Sequence, residues 1–194
     1  MKKTELELKD INNKNLDYDT IYKILDTYNI YNTYCISNLE NLNVFSNLKE
    51  LNFVNNRNID DYSIQKLTKL EKLVLPKNKL ITNKGLLNLK KLKYLDLSVN
   101  TNIDDKSIIN KSNLQYLKLV FNKKITDKAF ENIKNLKYLN LGYNNNKNLK
   151  LNFLENNKGL IELILYRKKN LPNNVVDKIK TIKNINCYQL QLFN

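Results

Sequence analysis

The chain repeats itself. The series Leu48, Leu51, Phe53, Asn56, Ile59 returns as Leu70, Leu73, Leu75, Asn78, Ile81 and as Leu92, Leu95, Leu97, Asn100, Ile103. It returns again as Leu114, Leu117, Leu119, Asn122, Ile125, and a fifth copy reads Leu136, Leu139, Leu141, Asn144. These five starts lie 22 residues apart, and the next two, at Leu160 and Ile185, follow after 24 and 25. A fixed period in this range is the signature of stacked repeats.

Each unit has two halves with different periods. Its Leu-x-Leu half alternates with period 2, which predicts a short strand. The other half spaces apolar residues three and four apart, as in Ile64 and Leu67, Leu86 and Leu89, or Ala129, Phe130 and Ile133. That spacing suits one or two helical or 3₁₀ turns. Polar residues stand in front of them as caps: Asp60 or Asp61, Thr82, Asp104 or Asp105, Thr126 or Asp127. Neither half can bury an apolar face alone, but stacked neighbours can. The predicted fold is an α/β solenoid, an arc with a concave parallel β-sheet and short helices or 3₁₀ turns on the convex side. We read it as one domain, 1–194, with degenerate repeats over 1–47, regular repeats over 48–159, and a last repeat with a C-terminal cap over 160–194.

Asn56, Asn78, Asn100, Asn122 and Asn144 recur where each strand turns away. A turn buried between repeats must find partners for its backbone. Stacked side-chain amides supply them as a ladder, and losing one rung should cost roughly 1–3 kcal/mol.

These motifs, Leu-x-x-Leu-x-Leu-x-x-Asn followed by Ile and a Thr/Asp cap, resemble the leucine-rich repeat family. The phrase Ile125-Thr126-Asp127-Lys128-Ala129-Phe130 resembles the repeats of F-box-associated proteins, and the biased composition resembles leucine-rich repeat proteins of large DNA viruses. The resemblance implies a binding module. In its F-box form it implies substrate recognition beside a separate F-box protein, since no F-box is recognisable here.

The ends depart from the pattern. Leu6 and Leu8 match a strand, and Cys35 fills a ladder position in a worn repeat. Lys168 replaces the ladder Asn of the last repeat. Pro172 then opens a longer helix through Val175, Val176, Ile179 and Ile182 as its first-turn residue, and Ile185, Tyr188 and Leu190 begin a final strand. An imperfect terminal repeat could expose apolar surface and permit pairing, so oligomeric state stays open. Only Cys35 and Cys187 are present, too far apart in the chain for a disulfide framework. The start of the chain has no secretory h-region, and no apolar run is long enough to span a bilayer. An intracellular, cytoplasmic setting is expected.

Function is expected on the concave face, between and beside the inward leucines. Tyr94, Tyr116 and Tyr138 hold one place in three consecutive repeats, with Lys118, Phe121, Tyr143 and Tyr166 nearby. Solvent-facing aromatics make interface anchors, though strand propensity and cross-strand stacking would also favour them. Gly142 is expected to deepen the surface, and Asp96 to pair with Lys118 as a surface ion pair.

Charge allows a second reading. Lys and Arg outnumber Asp and Glu by 33 to 19, a net charge of +14. Lys69, Lys90, Lys91, Lys93, Lys134, Lys137 and Lys158 gather before the strands, and Lys106, Lys123, Lys124, Lys128, Lys147 and Lys150 form a second group. The first could meet phosphates. A compositional preference for Lys and Asn explains the same pattern without function. Arginine, suited to bidentate phosphate or base contacts, stands only at Arg57 and Arg167. With no histidine, no glycine-rich phosphate loop and no clustered cysteines, no enzyme, metal or cofactor is expected. The Asp60-Asp61 and Asp104-Asp105 pairs are read as helix caps. The expected partner is a protein or peptide. Nucleic acid, or a purely structural solenoid, is the alternative.

Overall fold

A computed structural model describes residues 48–52, 54, 59–166 and 171–186. Asn56, Arg57, Arg167, Lys168, Cys187 and the worn repeat over 1–47 lie outside them. Seven strands, β1 (Glu50–Asn52), β2 (Lys72–Val74), β3 (Tyr94–Asp96), β4 (Tyr116–Lys118), β5 (Tyr138–Asn140), β6 (Glu162–Ile164) and β7 (Asn184–Asn186), form one parallel sheet in chain order. Each has three residues because the repeat must also fit a turn and a return segment. Their central leucines stack in register, Leu51 on Leu73, Leu95, Leu117, Leu139 and Leu163, and are fully buried.

Register corrects one expectation. Ile185 pairs with Leu163, so the last unit begins at Ile182, 22 residues after Leu160, and not at Ile185. Ile182 is buried in the core, whereas Ile185 is 37% exposed. The extra two residues of the preceding unit fall between β5 and β6, where Leu151 takes a left-handed conformation ahead of a five-residue 3₁₀ segment, Asn152–Asn156.

The return segments are short because one turn fills the space available. Single helical turns span Asp61–Ile64 and Asn83–Leu86, and 3₁₀ turns span Asp105–Ser107 and Asp127–Phe130. Among the described residues, only Asn173–Lys180 reaches eight residues. Pro172 stands just before its first residue, at the cap. Between sheet and turns lies a continuous apolar core of stacked leucines and isoleucines, joined by Phe130 and Phe153, whose rings stack at 3.8 Å.

Two polar seams close the stack. In the first, Asn100 donates its amide to the Leu75 carbonyl (2.9 Å), Asn122 to Asn100 (2.7 Å) and Asn144 to Leu119 (2.6 Å). Asn78 donates to Ile59, and its Oδ1 accepts from the backbone of Leu80 and Ile81. The rungs are unequal: Oδ1 of Asn122 and of Asn144 is buried and has no hydrogen-bond partner among the described residues.

The second seam revises the reading of the acidic pairs. Asp60 and Asp104 cap their own turns, accepting from Ser63 and Lys106. Their neighbours reach across to the next repeat instead. Asp61 accepts from the backbone and hydroxyl of Thr82, and Asp105 from those of Thr126. Asp127 accepts from the backbone of Leu151 and Asn152. Asn83 and Asp104 complete the row with a reciprocal pair. Asp61 and Asp105 thus tie their turns to the next repeat, Asp60 caps its own turn, and Asp104 both caps its turn and bonds back to the preceding repeat.

Candidate binding face

Parallel pairing in strict register places Tyr94 beside Tyr116 and Tyr116 beside Tyr138. Adjacent strands lie a little under 5 Å apart, so aromatic side chains on one face must stack. The rings are parallel within 7° and 3°, with centroids 4.6 and 3.9 Å apart. This packing alters one expectation. Tyr138 is only 8% exposed, because its ring lies against Tyr116 at the deep end of the stack. Tyr94 and Tyr116 are half-buried.

Burial, reinforced by Asp96, pushes the Tyr94 hydroxyl above its usual range. Burial does the same for Tyr116, and pushes Tyr138 up to about 12. All three phenols therefore stay protonated and uncharged at neutral pH, and that of Tyr138 is already engaged by Asn140.

A second aromatic row lies in the turns that follow β4, β5 and β6. Phe121 and Tyr143 stack at 4.5 Å, within 4° of parallel, and Tyr166 tilts against Tyr143 at 5.7 Å. Phe121 is 42% exposed. The backbone there is unusual: Lys77, Val99, Phe121 and Tyr143, each just before a ladder Asn, all have φ near +60°. Gly142 does not open the surface. A Cβ on it would come within 3.0 Å of the Tyr166 ring, so its missing side chain is the space that ring fills.

Lys118 lies between the rows, and its environment differs from the expected one. Asp96 turns toward its own strand end and accepts from the Ser98 backbone (3.0 Å). The ion pairs among the described residues are Lys72–Glu50, Lys93–Glu71 and Lys180–Asp177, so Asp96 and Lys118 do not pair. The Lys118 ammonium is 6.0 Å from the Tyr116 centroid and 5.7 Å from that of Tyr138. Near equidistance from two rings only 3.9 Å apart puts it at their rim, not over one face. Lys72, 5.6 Å from the Tyr94 centroid, borders the other end of the stack.

The lysines of both flanking groups are exposed. Lys93 pairs with Glu71 at 2.6 Å and, with Lys49 and Lys91, holds that carboxyl below its usual range. Among the described residues, no group of three His, Cys, Asp or Glu side chains is placed to hold a metal ion, and no helix is long and apolar enough to cross a membrane.

One buried group escaped the sequence reading. Lys111 is 1% exposed and donates to the Leu86 carbonyl at 2.7 Å. Burial pushes its ammonium down to about 8. Aligning the repeats would have found it, since it occupies the column of Leu67, Leu89 and Ile133.

The sequence matches no protein-family model and no curated protein. Solved structures do resemble it. An internalin (InlF) from Listeria monocytogenes superposes with a TM-score of 0.65 at 24% identity, over 76% of this chain and 43% of that one. A second Listeria monocytogenes internalin (InlC2) gives 0.62 at 25% identity, over 78% and 68%. The chain thus spans under half the length of the first. Internalins are leucine-rich repeat proteins, and the in-register sheet, the one-turn return segments and this likeness establish a leucine-rich repeat arc as the fold of this chain.

Proposed function

We propose that the protein is a non-enzymatic interaction module that binds a protein or peptide on its concave face. The observation that carries this reading is the stack Tyr94–Tyr116–Tyr138, running across three strands and continued by Lys118. Rigid, partly exposed aromatics bury much area at little entropic cost when a partner arrives. Phe121, Tyr143 and Tyr166 extend the aromatic surface into the turns that follow β4, β5 and β6. The raised phenols of Tyr94, Tyr116 and Tyr138 stay neutral at physiological pH, which suits recognition better than acid–base chemistry. Should the chain serve an F-box-type assembly, as its repeat phrase suggests, this face would be its substrate-recognition surface.

The lysine edge supports a second reading, contact with phosphates, through the exposed Lys90, Lys91, Lys134 and Lys158. Salt separates the two. Pull-downs from cell extract at low and high salt would compare the wild type with a Tyr94/Tyr116/Tyr138→Ala triple variant. A protein retained at high salt by the wild type and lost by the variant supports the concave site. Nucleic acid that is released at high salt and ignores the substitutions overturns it.

A further inference from the structure

We propose that the occupant of the concave face is an extended acidic polypeptide segment, lying between the two aromatic rows with carboxylates directed at Lys118. This rests on the proposed binding function and names its partner class.

Three observations converge. The first is how the rings present themselves. Tyr116 has one face covered by Tyr94 and the other by Tyr138, so it offers a partner its ring edge and not a face. Ring edges carry partial positive charge, and phenol hydroxyls donate hydrogen bonds. Both suit carboxylate and carbonyl oxygens. Single-stranded nucleic acid needs open ring faces on which bases stack, and at Tyr116 none is open.

The second is charge. Lys118 has no carboxylate within ion-pair distance among the described residues, because Asp96 has turned to Ser98. Its ammonium rests at the rim of two rings, where it stays available to an incoming anion. Exposed Lys137 lies just before β5, and exposed Lys123 and Lys124 follow β4. These lysines flank β4 and β5 in a chain of net charge +14, with Asp96 and Glu162 on the neighbouring strands as the nearby carboxylates. Complementary charge speeds encounter and fixes register.

The third is strain. The left-handed conformation of Val99, Phe121 and Tyr143 disfavours β-branched and bulky residues and favours Asn or Gly. This chain uses Asn freely elsewhere, including at the very next position of each repeat. Composition and conformation both point to Asn, yet after Lys77 the next three repeats carry Val99, Phe121 and Tyr143 there. Strain held in consecutive repeats fits side chains kept for what they touch.

The test uses the full chain and a fluorescent twelve-residue peptide alternating Glu and Leu. Its Gln/Leu counterpart and a labelled twelve-nucleotide oligo-dT serve as comparators in anisotropy titrations at low salt. The Glu peptide should bind at least about tenfold more tightly than either comparator. Lys118→Met should weaken it by about tenfold, and Lys84→Met, on an exposed turn of the convex side, should not. Phe121→Asn should raise the thermal midpoint while weakening the peptide. Failure of the Glu peptide to bind, oligo-dT binding as tightly, equal effects of Lys118→Met and Lys84→Met, or a lowered midpoint in Phe121→Asn would each overturn the proposal. A neutral partner retained by the tyrosine stack in the pull-down would sink this inference while leaving the binding function standing.

Discussion

Lys111 carries an ammonium into a column otherwise filled by Leu67, Leu89 and Ile133. Its single bond to the Leu86 carbonyl cannot replace lost hydration. Lys111→Leu should therefore stabilise the protein at pH 7 by about 1–3 kcal/mol, measured by urea unfolding. The pH profile gives an independent check. Burial moves Lys111 from 10.5 to about 8, so across that window the unfolded chain binds a proton the folded chain lacks. Wild-type stability should rise with pH there, and the Leu variant should lack the rise. The tyrosines act in the opposite sense. Their raised values keep protons on the folded chain that the unfolded chain releases from about pH 10, so stability should fall above it. The asparagines are unequal in the same chemical terms. Asn78 donates to Ile59 and accepts two backbone N–H groups, whereas Asn122 makes one donated bond and leaves its Oδ1 without a partner among the described residues. Asn78→Ala should cost about 2–3 kcal/mol and Asn122→Ala about 1; equal losses would contradict this assignment of bonds.

Elements in this chain are one turn or three residues long, so what joins them matters more than what each contains. Strands and turns were legible because the leucine spacing changes period within every unit. The split of the acidic pairs was not, since Asp60 and Asp61 are chemically identical and only the backbone decides which one faces the next repeat. Asp105→Ala should cost about 1–3 kcal/mol by freeing the Thr126 backbone and hydroxyl. Loss of the side chain of its neighbour Asp104 should uncap its own turn and also free the Asn83 amide of the preceding repeat. The left-handed residues before each ladder Asn were equally hidden, because Val99 and Phe121 read as ordinary strand residues. Val99→Asn should gain about 0.5–1 kcal/mol by relieving that conformation, seen as a higher unfolding midpoint with an unchanged denaturant slope. The last unit misled for a related reason. Ile182 and Ile185 both continue the apolar series, and only register shows that Ile182 holds the starting place.

At the scale of the whole molecule, the repeat converts a sequence column into a surface row. That is why the tyrosines could be placed on one face from spacing alone. Their stacking geometry, the burial of Tyr138 and the rim position of Lys118 depend on strand separation and ring rotation, which spacing does not encode. The solenoid sets Asp61, Asp105 and Asp127 into the seam between repeats and Glu50 and Glu71 into ion pairs, and it leaves the lysines of both flanking groups exposed, beside two aromatic rows borne by the strands and by the turns that follow them. The proposed function places a partner on the concave face, over these rows. The most direct measurement places a photo-crosslinking amino acid either at Val120, between the rows, or at exposed Glu131 on the convex turns, and irradiates each protein in cell extract. The account predicts a protein adduct from position 120 that disappears in the Tyr94/Tyr116/Tyr138→Ala background, and none from position 131. An adduct formed chiefly from position 131, or one from position 120 that survives loss of the tyrosines, would contradict it.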